Sequence, residues 1–410
     1  MKRLLRLFAV GIALTGTSAA TADDFTSRQN GDWTTSGTWT NETAGNITSV
    51  PSASTDNVTI VGSNLITLNS AESVNNFSAT GGVLLGNGDL TIGGTASIAS
   101  GVDFRFAHSG SVNLNSGSTF NWDSNRESTG GSGVLTAEFN FDGTTNFNVD
   151  TVGVAGTNRL RTTANWNNTG TFTRTAGGTL TVDFESGASF TNSGTFSKSD
   201  ASNLTFGGPF LNSGDINLSG GGTLTIGNFQ HTGGTITVGD TATFEANIGV
   251  QEGELFGTGT VDGNVTLGGI GATELSAGSL STVGELEIDG NLTLANDTKL
   301  TLNLGDGVSF DQILVDGDVN VNGAALEIVL DNSATYTVGQ EFTFLTGTGG
   351  DTTNQFGSVT FVNNHPDFDG TLTVTGNDYS FTITAVPEPS SLAVLGLVSV
   401  GAIARRRRRA

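Results

Sequence analysis

The chain has 410 residues, of which 16 are basic, 39 are acidic and 60 are glycine, and it contains no cysteine. The missing cysteine excludes disulfide bonds, thiolate catalysis and Cys-ligated metal sites. A net charge of −23 argues against DNA or RNA as a partner, because phosphate contacts need Lys and Arg. The length allows two or three ordinary domains, or one long repetitive domain.

Residues 1–22 have the three parts of a secretory signal peptide. Three basic residues lie among the first six, and an apolar stretch follows them. Small residues then occupy the predicted cleavage positions, Ala20 and Ala22. The pattern predicts that the chain is exported by the secretion machinery.

Residues 23–256 are predicted to be a repetitive β-solenoid. Residues 166–172, 190–196 and 210–216 read WNNTGTF, FTNSGTF and FLNSGDI, and a looser copy, FQHTGG, begins at Phe229. The first glycines of these copies are 24, 20 and 19 residues apart. A second strand pattern (TLTV, NLTF, TLTI) lies between the copies and advances with them.

A repeat of about 20 residues holds two or three short strands and their turns, which is one coil of a parallel β-helix. Apolar residues alternate with Thr or Asn, as expected of strands with one buried face. Because one coil cannot bury its own Phe and Leu, coils stack with like residues over like. We therefore expect Phe172 near Phe196, and Asn168 near Asn192 and Asn212.

The same pattern continues on both sides of these copies, and apart from the two ends no segment has helical periodicity. Near the start, residues 30–33 and 37–39 resemble the opening strand of similar repeat proteins and would cap the first coil. The alternative all-β fold is a string of antiparallel sandwiches. Asp-Gly pairs at Asp262, Asp289, Asp316 and Asp369 could then form hairpin turns.

Residues 257–330 carry a second repeat, with GTVDGNVTL at 259–267, GELEIDGNLTL at 284–294 and DQILVDG at 311–317. This segment resembles the distal passenger region of autotransporter-type β-helix proteins. A translocator barrel would need many more amphipathic strands than follow here, so the resemblance does not imply self-transport. Residues 331–385 are predicted to form a C-terminal β cap, for which a small β-sandwich is an alternative to the solenoid.

Residues 386–410 form a three-part tail. An extended, proline-bounded motif comes first, a 13-residue apolar stretch follows, and a basic cluster ends the tail. The residues of the motif and the cluster are Pro387, Glu388, Pro389, Arg405, Arg406, Arg407, Arg408 and Arg409. As a helix the apolar stretch would be about 20 Å long, short of a bilayer core of about 30 Å. The arginines can snorkel and hold the end on the cytoplasmic side of a membrane.

This tail resembles the PEP-CTERM sorting signal of bacterial envelope proteins. The resemblance implies recognition by an exosortase, removal of the tail and delivery to the surface of a Gram-negative cell that makes exopolysaccharide. Until that processing, a short C-terminal transmembrane helix would attach the chain to the membrane. A simple C-terminal membrane anchor is the alternative.

Eight of the 16 basic residues lie in these two end segments. The body, with Glu388 counted in it, therefore keeps eight basic against 39 acidic residues, a net charge of −31. Such a surface repels anionic polysaccharide and nucleic acid and attracts divalent cations.

Signals of enzyme chemistry are weak. Three pairs of carboxylates have the i, i+2 spacing that could form a glycosidase dyad: Glu252 with Glu254, Glu285 with Glu287, and Asp316 with Asp318. Outward carboxylates at alternate positions are also ordinary on an acidic strand. The histidines His108, His231 and His365 have no metal-ligand spacing, and no P-loop, dinucleotide or nucleophile-elbow motif is present.

The sequence predicts no cofactor, because neither an EF-hand loop nor a run of calcium-binding nonapeptides occurs. Weak binding of calcium at the surface Asp-Gly turns is the one alternative. The sequence thus predicts a non-enzymatic structural or adhesive protein of the cell surface or extracellular matrix. Its predicted partners are the exosortase and exopolysaccharide or other surface proteins. A carbohydrate-active β-helix enzyme, either a hydrolase or a lyase, is the alternative.

Overall fold

The computed structural model describes residues 22–99, 104–122, 134–135, 138–141, 144–147, 159–176, 178–279, 281–305, 309–331, 333–349, 355–362 and 368–386. In these ranges the only helical element is a 3-10 turn, Ser36–Thr38. The remaining regular structure is β-strand.

The strands are, in chain order, β1 (Asp24–Ser27), β2 (Gly31–Asp32), β3 (Trp39–Asn41), β4 (Asn57–Ile60), β5 (Leu65–Leu68), β6 (Glu72–Val74), β7 (Asn76–Ala79), β8 (Gly82–Gly86), β9 (Leu90–Ile92), β10 (Thr95–Ile98), β11 (Phe104–Phe106), β12 (Ser111–Leu114), β13 (Thr119–Trp122), β14 (Val134–Leu135), β15 (Glu138–Phe141), β16 (Thr144–Phe147), β17 (Arg159–Thr162), β18 (Trp166–Asn168), β19 (Thr171–Arg174), β20 (Leu180–Phe184), β21 (Phe190–Asn192), β22 (Thr195–Lys198), β23 (Leu204–Asn212), β24 (Asp215–Leu218), β25 (Gly222–His231), β26 (Thr235–Val238), β27 (Ala242–Glu245), β28 (Ile248–Val250), β29 (Gly253–Gly257), β30 (Thr260–Asp262), β31 (Val265–Leu267), β32 (Thr273–Ala277), β33 (Glu285–Ile288), β34 (Leu292–Leu294), β35 (Thr298–Leu304), β36 (Gln312–Val315), β37 (Val319–Asn320), β38 (Ala325–Leu330), β39 (Glu341–Gly347), β40 (Ser358–Val362), β41 (Asp369–Thr375) and β42 (Asp378–Ala385).

The strands form a three-sided parallel β-solenoid, in which each coil contributes one strand to each side in turn. Side 1 is a 16-stranded sheet, β3-β1-β4-β7-β10-β13-β16-β19-β22-β24-β26-β29-β32-β35-β38-β40. Side 2 begins with β2-β5-β8-β11. Further along the solenoid it consists of β14-β17-β20-β23-β25-β27-β30-β33-β36-β39. Side 3 begins with β6-β9-β12-β15-β18-β21 and ends at β37. The long strands β23 and β25 run through a corner and belong to both of these sides.

Aromatic side chains fill the interior in register. Phe172 and Phe196 are paired neighbours, and their rings stack with centroids 5.6 Å apart and planes 11° apart. On side 3, Phe190 and Phe210 are 4.7 Å apart. All four are fully buried, and burying one Phe stabilises a fold by roughly 1.5–3 kcal/mol. The predicted stacking of coils is confirmed.

A column of amide side chains runs through the interior at the corner between sides 3 and 1. Asn168 Nδ2 donates to Asn192 Oδ1, and Asn192 Nδ2 donates to Asn212 Oδ1, both at 2.6 Å. Asn212 Nδ2 then lies 2.8 Å from His231 Nδ1. This asparagine column was predicted as far as Asn212, and His231 extends it by one coil.

Glycines allow the coils to approach closely at the same corner. A Cβ on Gly214 would overlap the carbonyl oxygen of Gly194, and a Cβ on Gly234 would overlap that of Gly214. The structure therefore aligns Gly234, and not Gly233, with the earlier glycines. On side 3 the predicted interval of 19 residues is correct, because His231 pairs with Asn212. On side 1 the interval is 20 residues, since Ile216 pairs with Ile236. The corner contains one extra residue.

Two adjacent coils enclose charged groups between them. Arg174 and Lys198 are register partners on side 1 and both are buried. Asp200 Oδ2 is 3.2 Å from Arg174 Nε, and Asp200 Oδ1 is 3.3 Å from Lys198 Nζ. Removal of one member of such a buried cluster would leave an uncompensated charge, so the three residues are one structural unit.

Both ends of the solenoid use antiparallel strands. At the start, β3 runs antiparallel to β1, and the buried rings of Trp33 and Trp39 meet edge-on at 4.9 Å. At the far end, β41 and β42 form an antiparallel hairpin, and β42 pairs with β39. The segments 30–33 and 37–39 therefore lie in the opening cap, as expected.

The predicted all-β solenoid is confirmed, and the antiparallel-sandwich alternative is wrong. The Asp-Gly pairs at Asp262, Asp289 and Asp316 lie at a corner between sides 2 and 3, whereas Asp369 begins β41. Beyond residue 330 the parallel strand β40 still pairs with β38, beside the antiparallel hairpin. The boundaries at residues 256 and 330 stay predictions.

Candidate binding surface

The outer surface of side 1 carries a long uncharged row from β1 to β26. Strand register brings the outward residues of successive coils into this central row; those with described side chains are Thr26, Thr59, Ser78, Ser97, Asn121, Thr173, Ser197, Asn217 and Thr237. Neighbouring strands are about 4.8 Å apart. Across the ten strands, these nine positions therefore repeat hydroxyl or amide groups over about 40 Å.

A second outward row runs beside the central row, two residues earlier in each strand. Its members with described side chains are Asp24, Asn57, Asn76, Thr95, Thr119, Thr171, Thr195, Asp215 and Thr235. Several of them bond along the row, as in the 2.8 Å bonds from Asn57 Nδ2 to Asp24 and from Asn76 Nδ2 to Asn57. We call these two rows the neutral face.

The neutral face is set apart by its charge. Across the ten strands from β1 to β26, its outward positions include two carboxylates, Asp24 and Asp215, and no Lys or Arg, because Arg174 and Lys198 lie at inward, buried positions. Side 3 has a similar outward row, but Leu211 and Gly249 interrupt its polar side chains. The sequence predicted Thr/Asn strand surfaces in general, and the register now identifies which side presents them without interruption.

The carboxylate pairs considered for catalysis lie on open strand surfaces. Glu252 is exposed in a turn, and Glu254 accepts a 3.2 Å bond from the Thr235 hydroxyl. Glu285 and Glu287 are both exposed on β33, where Glu287 accepts a bond from Thr260. None of these four lines the groove that the structure forms on side 1.

The third pair belongs to an acidic row on side 2. Asp316 and Asp318 are exposed, and Asp316 accepts a 3.0 Å bond from the Thr348 hydroxyl. Burial, with the charges of Glu287, Asp262 and Asp316, raises the pKa of Asp289. Across the described ranges, no three His, Asp or Glu side chains are grouped closely enough to hold a metal ion. Weak calcium binding stays a prediction.

Two of the three histidines are interior residues. His108 and His231 are fully buried, and burial lowers the pKa of each to about 4. Both are therefore neutral at physiological pH. His365 lies outside the described residues.

The sorting and cleavage residues lie mostly beyond the described part. Ala20 precedes it, and Pro387, Glu388, Pro389 and Arg405 to Arg409 follow it; Ala22 is described and exposed. Within the described ranges, no helix is long and apolar enough to cross a membrane. The predicted C-terminal helix lies outside these ranges.

Comparison with known families identifies one segment. Residues 385–409 match the family described as PEP-CTERM protein-sorting motif. No curated protein sequence matches the chain. The motif implies exosortase-dependent processing and export to the cell envelope or surface, as the tail predicted.

Proposed function

We propose that this chain is a structural or adhesive protein of the cell surface or its exopolysaccharide matrix, and that it binds neutral polysaccharide along the neutral face. The observation that carries the proposal is the neutral face itself, with ten strands in register and no cationic side chain. The sorting motif at residues 385–409 supports a location where such polymers are found.

The chemistry of the face suits sugar hydroxyls. Thr, Ser and Asn side chains each donate and accept hydrogen bonds, as sugar hydroxyls do. A long polymer can repeat the same weak contact at each coil, and linked weak contacts give high overall affinity. The net charge of −31 on the body disfavours anionic polymers.

The alternative is a carbohydrate-active enzyme. It would need two carboxylates that face each other across a groove, with separations of about 5–10 Å. The pairs Glu252–Glu254 and Glu285–Glu287 lie on open surface, and this favours binding over hydrolysis.

Isosteric removal of hydroxyls tests the proposal. In the triple variant Thr173→Val, Thr195→Val and Thr237→Val, the outward shape is kept but three hydroxyls of the neutral face are lost. We expect at least about tenfold weaker binding to neutral polysaccharide, because each hydrogen bond contributes about 0.5–1.5 kcal/mol.

A matched triple variant on side 3, Thr191→Val, Thr266→Val and Thr293→Val, should bind like the unchanged protein. These three residues are also outward threonines on the same solenoid. Equal loss in both triple variants, or loss only on side 3, would refute the neutral face as the binding surface.

A further inference from the structure

Side 1 changes character after the neutral face ends. Ser276, Thr301 and Asn303 occupy outward positions on β32 and β35, yet each is at most 5% exposed. Described outward residues on the side 1 strands from β1 to β26 are half-buried at most. Residues 278–279, 281–284, 305 and 309–311 therefore cover the sheet here.

A buried carboxylate ties these two covering segments to the sheet. Asp311 Oδ1 accepts the Gly284 amide at 2.9 Å, and Asp311 Oδ2 accepts both Asn303 nitrogens at 2.8 Å. Asn303 Nδ2 also donates to the carbonyl of Ser279 at 2.8 Å. The cover is consequently fixed in place by bonds from side chains that are themselves buried.

The covered sheet borders a groove of about 980 Å³, which we call the C-terminal groove. Among its lining residues, we call Lys299, Thr301 and Asn303 of β35 the floor, and Glu327 and Asp331 one wall. This volume is at the upper end of those of small-molecule sites, and it would hold a few sugar rings.

The floor presents a fixed set of donors and acceptors. Lys299 Nζ lies 3.0 Å from Glu274 Oε1 and 3.1 Å from Glu327 Oε1. An ammonium has three donors, so one remains for a ligand. Burial alone would lower the pKa of Lys299, but its hydrogen bonds to both glutamates raise it, and the side chain stays charged.

The charges and the apolar rim restrict the ligand class. The single cation Lys299 is outnumbered by Glu274, Glu327 and Asp331, which disfavours uronates and phosphates. Val283 and Val362, 38% and 37% exposed, line the groove with apolar surface. Among its described lining residues there is no aromatic ring on which a nucleobase could stack.

We propose that the C-terminal groove binds a short segment of neutral glycan. Hydroxyl groups would bond to Lys299, Glu327 and Asp331, while a sugar C–H face would pack on Val283 and Val362. The proposal rests on the proposed glycan binding, but it assigns a second site, which recognises a few sugar units instead of a long polymer.

The test uses the exported protein purified from its producing cells, with a panel of neutral tetrasaccharides of different linkages and a uronate tetrasaccharide as probes. In Glu327→Leu the wall loses its acceptor but keeps a similar volume. We expect at least one neutral tetrasaccharide to bind, with affinity reduced about tenfold or more in Glu327→Leu, and the uronate to bind weakly.

Glu245→Leu is the control, because Glu245 is an exposed glutamate on side 2, outside the groove, that accepts a bond from the Thr225 hydroxyl. It should bind tetrasaccharides normally, and both variants should keep polymer binding. If Glu327→Leu binds tetrasaccharides as tightly as the wild type does, the proposal that the C-terminal groove is their binding site is refuted. Wild-type protein that binds the polymer but no tetrasaccharide would also refute the groove as a glycan site, and would leave the proposal for the neutral face intact. Wild-type protein that binds neither would refute both proposals.

Discussion

The asparagine column is the interaction that depends most on single side chains. Asn192 is both an acceptor from Asn168 and a donor to Asn212, and it is fully buried. Asn192→Ala leaves two buried amide groups without their partner, and we expect a loss of about 2–4 kcal/mol in the free energy of unfolding. Asn217→Ala, on the outer surface of the same coil stack, should change it by less than about 0.5 kcal/mol. Urea unfolding of both variants measures the difference, and equal losses would contradict the column's role.

The buried histidines predict an acid sensitivity with a defined sign. In the unfolded chain a histidine binds its proton near pH 6.5, whereas burial lowers the pKa of His231 to about 4. The stability that depends on neutral His231 is therefore complete above pH 6.5 and is lost as the pH falls towards 4. The shift corresponds to about 3 kcal/mol. Burial raises the pKa of Asp311 to about 7 and acts in the opposite direction, so the wild-type curve alone is not diagnostic.

The comparison of wild type with His231→Asn isolates this residue. We expect the wild type to lose about 3 kcal/mol relative to the variant between pH 6.5 and pH 4. Urea unfolding at several pH values measures it. A difference that stays constant over this range would show that His231 titrates normally in the folded protein.

At the scale of the strand corner, glycine is required by space. Gly214→Ala would force a Cβ into the carbonyl oxygen of Gly194 on the preceding coil, and we expect it to destabilise the protein by more than about 2 kcal/mol. Gly249→Ala is the control, because nothing lies within 4 Å of a Cβ there. It should be neutral or stabilising by up to about 1 kcal/mol. Thermal unfolding of the two variants would show similar midpoints only if the coils were not packed as described.

At the scale of the coil, the solenoid predicts tolerance of whole-unit deletion. Thr235 pairs with Glu254, so removal of residues 235–253 joins two equivalent corners and restores register. Removal of residues 235–244 would instead bring β28 onto the wrong side. We expect native circular dichroism and cooperative unfolding from the first deletion and loss of folding from the second. The coil at 195–214 is a poor choice, because it contains Lys198 and Asp200, and Asp200 neutralises the buried Arg174.

The sequence predicted those features of the elements that repeat at fixed spacing. Phe172 over Phe196 and Asn168 over Asn192 followed from matching motifs. The matching motifs did not predict that Gly234, instead of Gly233, aligns with the earlier glycines. Both residues of the pair are glycine, and only the backbone path distinguishes them. The C-terminal groove was also missed, since residues 281–284 and 309–311 interrupt the repeat, and burial of Asp311 depends on how these residues fold over side 1.

At the scale of the whole molecule, charge and hydrogen-bonding surface are separated. Acidic residues such as Glu245 and Asp262 lie in one row on side 2, while the neutral face of side 1 carries two carboxylates at its outward positions. The acidic surface keeps the protein soluble and repels anionic polymers. The neutral face can therefore contact an uncharged polymer over about 40 Å without competition from charge.

The most direct measurement is binding of the exported protein to the exopolysaccharide of its producing cells, with and without calcium, followed by the size distribution of the glycan. The account predicts saturable binding and unchanged glycan length. Calcium dependence would assign a role to the acidic Asp-Gly turns. Absence of binding would contradict the neutral face as a glycan surface, and shortened glycan would contradict a non-enzymatic function and direct attention to Glu252, Glu254, Glu285 and Glu287.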